Sequence, residues 1–242
     1  MSERGEVTFG NTTITFTVIR SRRRKKTVEV TLDPRDGVLV SAPWDTPPER
    51  ITAVVAKRAG WIVRQASSEV LHPRRKEFVS GESLPYLGRL ARLFVEHAHV
   101  RSVSVAFDHW SFRVVAPSDL ADEQRRARIE DALVRWYKEH ASERLSARTE
   151  YWARRAGYAP TAVLVRDQRQ RWGSCSPDGK LRFNWRIVMA PPALIDYVVV
   201  HELAHLRERT HSAAFWAEVA RLMPDYRPRR SRLKEVGPTL TL

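Results

Sequence analysis

The chain has 242 residues, with 42 Lys+Arg against 28 Asp+Glu and a formal net charge of +14. Hydrophobic residues are 43% and charged residues 29%, which excludes wholesale disorder; 10 glycines exclude collagen, and 1 cysteine, Cys175, excludes a disulfide scaffold. No run approaches ~18 consecutive apolar residues and the first residues hold no apolar signal core, so a reducing cytoplasm is expected and no membrane partner. The basic excess suits a phosphate-bearing partner such as nucleic acid, and it equally suits solvated helix faces.

The expected elements follow in chain order. Residues 13–18 alternate polar and apolar after a tight turn at Gly10-Asn11. Val28, Val30 and Leu32 alternate likewise, and Asp33-Pro34-Arg35-Asp36-Gly37 turns the chain into a strand at 38–40. Between these strands lies Arg22-Arg23-Arg24-Lys25-Lys26, either a nucleic-acid patch or a solvated connection. Pro47-Pro48 opens a helix over about 47–70, with Ile51, Val54, Val55, Ile62 and Val63 at helical spacing. Strand signals return over 84–95, with Gly88 inside, and over 103–115, with a turn at Asp108-His109.

Ser118 or Asp119 stands where a cap belongs for a long helix reaching about Ala156. Its stripe is Ile129, Leu133, Trp136, Tyr137 and Leu145, and Gly157 is its left-handed stop. A buried strand is expected at 163–165. Another, over 181–187, follows the turn Pro177-Asp178-Gly179 and pairs with Trp172-Gly173-Ser174-Cys175 as a hairpin. Pro191-Pro192 starts the next helix, since proline is tolerated in a first turn. The expected fold class is α+β, with a β-rich region over 1–115 holding one helix and a second, helix-and-sheet core over 116–242.

That last helix carries His201-Glu202-Leu203-Ala204-His205, an HExxH sequence. Positions i and i+4 lie on one helix face, so two imidazoles can grip one divalent cation. Glu202 sits about 100° around the axis, beside the ion rather than on it, where it can take a proton from water. His211 is the preferred third donor: the helix is expected to end near Arg209-Thr210, and Ser212 to cap a following helix with Phe215, Trp216 and Val219 on its apolar face. Three protein ligands with one open position is the catalytic pattern for zinc. Glu218 on that following helix is the rival third ligand, and Cys175 a weaker one. The segment Arg171-Trp172-Gly173-Ser174-Cys175-Ser176 reads either as an edge strand taking an extended peptide or as a packed hairpin.

Arg171-Trp172-Gly173-Ser174-Cys175-Ser176, Leu181-Arg182-Phe183-Asn184-Trp185-Arg186, Asp196-Tyr197 leading into His201-Glu202-Leu203-Ala204-His205, His211-Ser212, Phe215-Trp216 and Met223-Pro224-Asp225-Tyr226 come in one order. Together they resemble the YgjP-like metal-dependent hydrolase family, itself similar to SprT- and WLM-type zinc peptidases. Weaker echoes at 22–26, Ala42-Pro43, Trp61-Ile62 and Tyr86-Leu87-Gly88-Arg89 extend the resemblance over nearly the whole chain. It implies a zincin-like α+β core, zinc on His201, His205 and His211, and Glu202 as general base. Metzincins share the histidine spacing but have glycine where this chain has Glu208.

The expected activity is cleavage of peptide bonds by zinc-bound water that Glu202 deprotonates. Tyr226, Arg227, Asn184 and Arg171 are candidates for a second polarising donor. Two other classes stay open: a nucleotide phosphohydrolase, favoured by arginines converging on the metal, and a nucleic-acid-associated module with structural zinc. An unpaired edge of the strand over 181–187 along the cleft favours the peptide.

Overall fold

The computed structural model describes residues 2–33, 37–66, 76–168 and 171–242. The chain divides into two compact units, Met1–Arg75 and Lys76–Leu242.

In the first unit, β1 (Ser2–Phe9) and β2 (Thr12–Ser21) form an antiparallel hairpin. Gly10 supplies the positive φ, +58°, that its two-residue turn needs. β2 runs parallel to β4 (Gly37–Pro43), which pairs antiparallel with β3 (Glu29–Asp33), giving the order β1-β2-β4-β3. The turn expected at 34–36 lies outside the described residues. α1 (Pro48–Ala66) lays Ile51, Val55, Ala59 and Ile62 over Phe16, Val18 and Val40, because these recur at i, i+4, i+8 and i+11. The part of this helix expected beyond residue 66 also lies outside the described residues. Within the basic run, Arg24 pairs with Glu29, and the Arg22 guanidinium lies over the Trp44 ring at 5.1 Å.

The second unit is organised by α2 (Asp122–Ala156). Its predicted stripe of Ile129, Leu133, Trp136, Tyr137 and Leu145 is buried throughout, and each such large apolar side chain contributes about 1.5–3 kcal/mol. Gly157 ends the helix with φ 71°. The start differs from expectation: Ala121, not Ser118 or Asp119, is the N-cap and makes no side-chain cap bond. Arg125 reaches back instead, donating to the carbonyls of Pro117, Ser118 and Leu120, so the approach to the helix is fixed from within it.

Against α2 packs a sheet of order β5-β6-β8-β7, made of β5 (Ser83–Tyr86), β6 (Arg89–Ala98), β7 (Ser104–Phe107) and β8 (Ser111–Pro117). The signal read over 84–95 as one strand is therefore a hairpin. Leu87 and Gly88 turn at φ 50° and 79°, and a Cβ on Gly88 would stand 2.8 Å from Pro191. Because these strands pack on α2, the division falls at 75/76 rather than at the expected 115/116.

The second sheet, β10-β11-β9, consists of β9 (Ala162–Arg166), β10 (Gly173–Cys175) and β11 (Lys180–Asn184). β11 is central, parallel to β9 and antiparallel to β10. The expected strand over 181–187 stops at Asn184, whose side chain accepts from the Arg186 N–H and opens a 3₁₀ turn, Trp185–Met189. α3 (Pro192–Ala204) and α4 (Ala213–Leu222) follow. α5 (Tyr226–Val236), an arginine-rich helix, has no apolar periodicity strong enough to have been predicted. No helix among the described residues is long and apolar enough to cross a membrane.

Candidate metal centre

α3 is apolar nearly all round, and Leu194, Ile195, Val198, Val199, Val200 and Leu203 bury it against the core. Arg148 of α2 clamps its first half, its guanidinium donating to both carboxylate oxygens of Asp196 at 2.6 and 2.8 Å. The rigid helix carries His201 and Glu202, and His205 is its C-cap. The helix ends at Ala204, earlier than expected, and the chain continues as a tight turn with Leu206, Arg207 and Glu208 N–H groups bonded to Leu203 and Ala204 carbonyls. Ser212 caps α4 as predicted, its hydroxyl accepting from the Phe215 N–H at 3.2 Å. This short link returns His211 to the other two imidazoles.

His201, His205 and His211 each offer one nitrogen, and these three atoms lie within 4.8 Å of one another. The His211 and His201 Nε2 atoms are 3.0 Å apart. Tetrahedral zinc with bonds of about 2.05 Å separates its ligand nitrogens by roughly 3.3 Å, so the His201–His211 pair stands near a coordinating spacing, with the His205 nitrogen in the same cluster. His205 Nδ1 is 2.9 Å from the Glu208 carbonyl. A proton held there by the carbonyl leaves Nε2 free to bind a cation. Burial, then the neighbouring His205 and His211, pushes His201 down to about 3, and burial lowers His205 as well. Both rings are thus neutral near pH 7, the form that ligates metal.

Glu202 is 5% exposed, and its Oε2 has no hydrogen-bond partner. Burial pushes its carboxyl up to about 8, opposed by the charge of Arg171. An isolated buried carboxylate is costly, and a cation beside it would favour its ionised form. The backbone of β10 lies directly on this side chain. A Cβ at Gly173 would come within 2.6 Å of both Cγ and Oε1 of Glu202, which explains the glycine in Arg171-Trp172-Gly173-Ser174-Cys175.

These groups line one cleft of about 450 Å³, together with Arg171, Trp172, Cys175, Tyr197, Arg209 and Leu233. β10 forms one wall and is an edge strand. The Trp172 carbonyl accepts from the Asn184 N–H and the Ser176 N–H donates to the Lys180 carbonyl, so in this antiparallel pair even-numbered residues of β10 face β11. The N–H and C=O groups of Gly173 and Cys175 therefore point to the open edge. The free edge thus belongs to β10, not to the strand beginning at Leu181.

Glu218, the rival ligand, is turned away: Tyr158 and Arg221 donate to its carboxylate, with Arg207 nearby at 3.7 Å. Cys175 lines the cleft but is outside the histidine cluster. Asn184 is occupied, donating to the Gln168 and Arg171 carbonyls. Tyr226 is buried, stacked on Trp216, and accepts from Arg227 Nε at 3.4 Å. Of the four candidate polarising residues, Arg171 lines the cleft. Tyr197 was missed; its signal was its place four residues before His201, on the same helix face.

Three clustered imidazoles that could hold a metal ion share one open cleft with a buried carboxylate, the donor set that a metal-dependent hydrolase requires. The chain belongs to the YgjP-like family: the family profile "YgjP-like, metallopeptidase domain" matches residues 26–236. It is accordingly a metallopeptidase. Among solved structures it is similar to the metallopeptidase zymogen of Pyrococcus abyssi abylysin, with 23% identity over 38% of this chain and 95% of that one and a TM-score of 0.36. It is also similar to the zymogen of Methanocaldococcus jannaschii jannalysin, with 18% identity over 38% and 94% of the two chains and a TM-score of 0.33. No curated protein matches the chain.

Proposed function

We infer that the chain is a zinc peptidase with a zincin-like core in which His201, His205 and His211 hold the metal and Glu202 is the general base. The observation that carries this reading is the three-nitrogen cluster beside the unpartnered Glu202 carboxylate. Zinc bound there supplies Lewis acidity that polarises a carbonyl and acidifies water. The protein's own groups do the rest. Glu202 Oε2 accepts a proton from attacking water and returns it to the departing amine nitrogen. The wall formed by β10 keeps that carboxylate from swinging away. Tyr197, whose phenol burial pushes up to about 12, stays protonated and can donate to the developing oxyanion. The substrate extends along β10, pairing with the free groups of Gly173 and Cys175. This open edge and the metallopeptidase family favour a peptide, although Arg171 and Arg209 also line the cleft, as a nucleotide site would need.

The test compares purified full-length protein with Glu202→Gln. Both are assayed for metal by mass spectrometry and for turnover on a peptide library and a nucleotide panel. The expected result is one zinc in each and peptide turnover in the parent alone. A Glu202→Gln protein with full activity, or hydrolysis confined to nucleotides, defeats the reading.

A further inference from the structure

The charge around the cleft is one-sided. Among its lining residues Glu202 is the only carboxylate, and it is buried. The rim is cationic and arranged by the fold. Arg171 lies two residues before β10, lines the cleft, and is exposed with no carboxylate partner among the described residues. Arg209 stands past the other end of the strand, its guanidinium held by the carbonyls of Ser176 and Pro177 at 2.9 and 2.8 Å. Those neutral acceptors position the cation without cancelling it. On α5, Arg230 lies over the Trp216 ring at 4.4 Å, and that ring stacks on His211 with centroids 5.7 Å apart. Neither Arg209 nor Arg230 has a carboxylate partner among the described residues.

A strand added to the edge of β10 would therefore pass between positive groups at its two ends. Its centre would lie against Gly173, Cys175 and the imidazoles. Opposite charge would be favoured at the flanks of such a strand, away from the bond being cut. Resting on the peptidase reading, we propose that the cleft selects extended polypeptide segments with acidic side chains flanking the scissile bond, and that Arg171 is a specificity-determining residue.

The test uses zinc-loaded full-length protein and three internally quenched peptides of one length and one apolar centre, flanked by Glu, Gln or Lys. At low salt, kcat/KM should fall in the order Glu, Gln, Lys, by about tenfold from first to last. The preference should shrink to within about threefold at 0.5 M salt, since rim charges are screened. Arg171→Glu should erase or reverse the Glu-over-Lys ratio while binding one zinc, and Arg171→Gln should lower it. The salt series needs no variant, so a misfolded substitution leaves the proposal exposed to test. Equal cleavage of the three peptides, or a Glu-over-Lys ratio unmoved in Arg171→Gln, overturns the proposal and leaves the peptidase reading standing. Cleavage of none, with nucleoside triphosphate hydrolysed instead, overturns both.

Discussion

Gly173→Ala adds a single methyl group at the most confined point of the site. That carbon would lie 2.6 Å from Glu202 Cγ and Oε1 and 2.8 Å from Cδ. Ordinary carbon contacts begin near ~3.5 Å, so strand or side chain must move by about 1 Å. Glu202 is held on a buried helix, and overpacking of this kind costs about 1–3 kcal/mol. Misplacing a general base by about 1 Å lowers kcat/KM on the order of a hundredfold. A double-mutant cycle separates this clash from general damage. Glu202→Ala removes the three atoms nearest the new methyl, so Gly173→Ala should cost much less stability in that background. The coupling between the two positions should reach about 1–2 kcal/mol by chemical denaturation. Equal destabilisation in both backgrounds, or wild-type turnover in Gly173→Ala, would refute the reasoning.

Chelation with phenanthroline should abolish turnover and lower the melting temperature, with zinc restoring both; activity indifferent to chelator would count against a catalytic ion. Glu218 is drawn down to about 2 from 4.5, chiefly by its Arg221 hydrogen bond, so its folded pKa is depressed. The stability it contributes is complete above about pH 4.5 and lost as pH falls toward 2; Glu218→Gln should flatten that limb in denaturation series and cost about 1–2 kcal/mol at pH 7, allowing for the exposure of Arg221. Asp196→Ala strands Arg148 and should destabilise by about 1–3 kcal/mol by thermal melting, while zinc stoichiometry stays at one. Cys175→Pro removes an N–H from the open edge of β10 and should raise KM more than it lowers kcat; unchanged peptide kinetics would argue against strand addition.

The candidate site was legible because the clustering of its three imidazoles is encoded in short-range spacing. The i, i+4 imidazoles need only a helix, and Pro191-Pro192 with a long apolar run supplies one; Ser212 announces the next helix through a local capping bond. What stayed hidden depends on contacts distant in sequence. The opening of α2 is set by Arg125 reaching back to three carbonyls, which no cap pattern encodes. The break at Leu87-Gly88 is tied to the close approach of Pro191, about a hundred residues on. Gly173 could be read as a point of close approach, but its partner, Glu202, emerged only from the packing of β10 on α3. α5 escaped because its arginines leave too narrow an apolar stripe for periodicity to register.

The most direct measurement is X-ray absorption at the zinc K-edge on the purified full-length protein. The account predicts a four-coordinate shell with three imidazole nitrogens at about 2.0–2.1 Å and one further light atom, losing an imidazole in His211→Ala. A sulfur at about 2.3 Å, which Cys175 alone could supply, or a shell unchanged in His211→Ala, would contradict it.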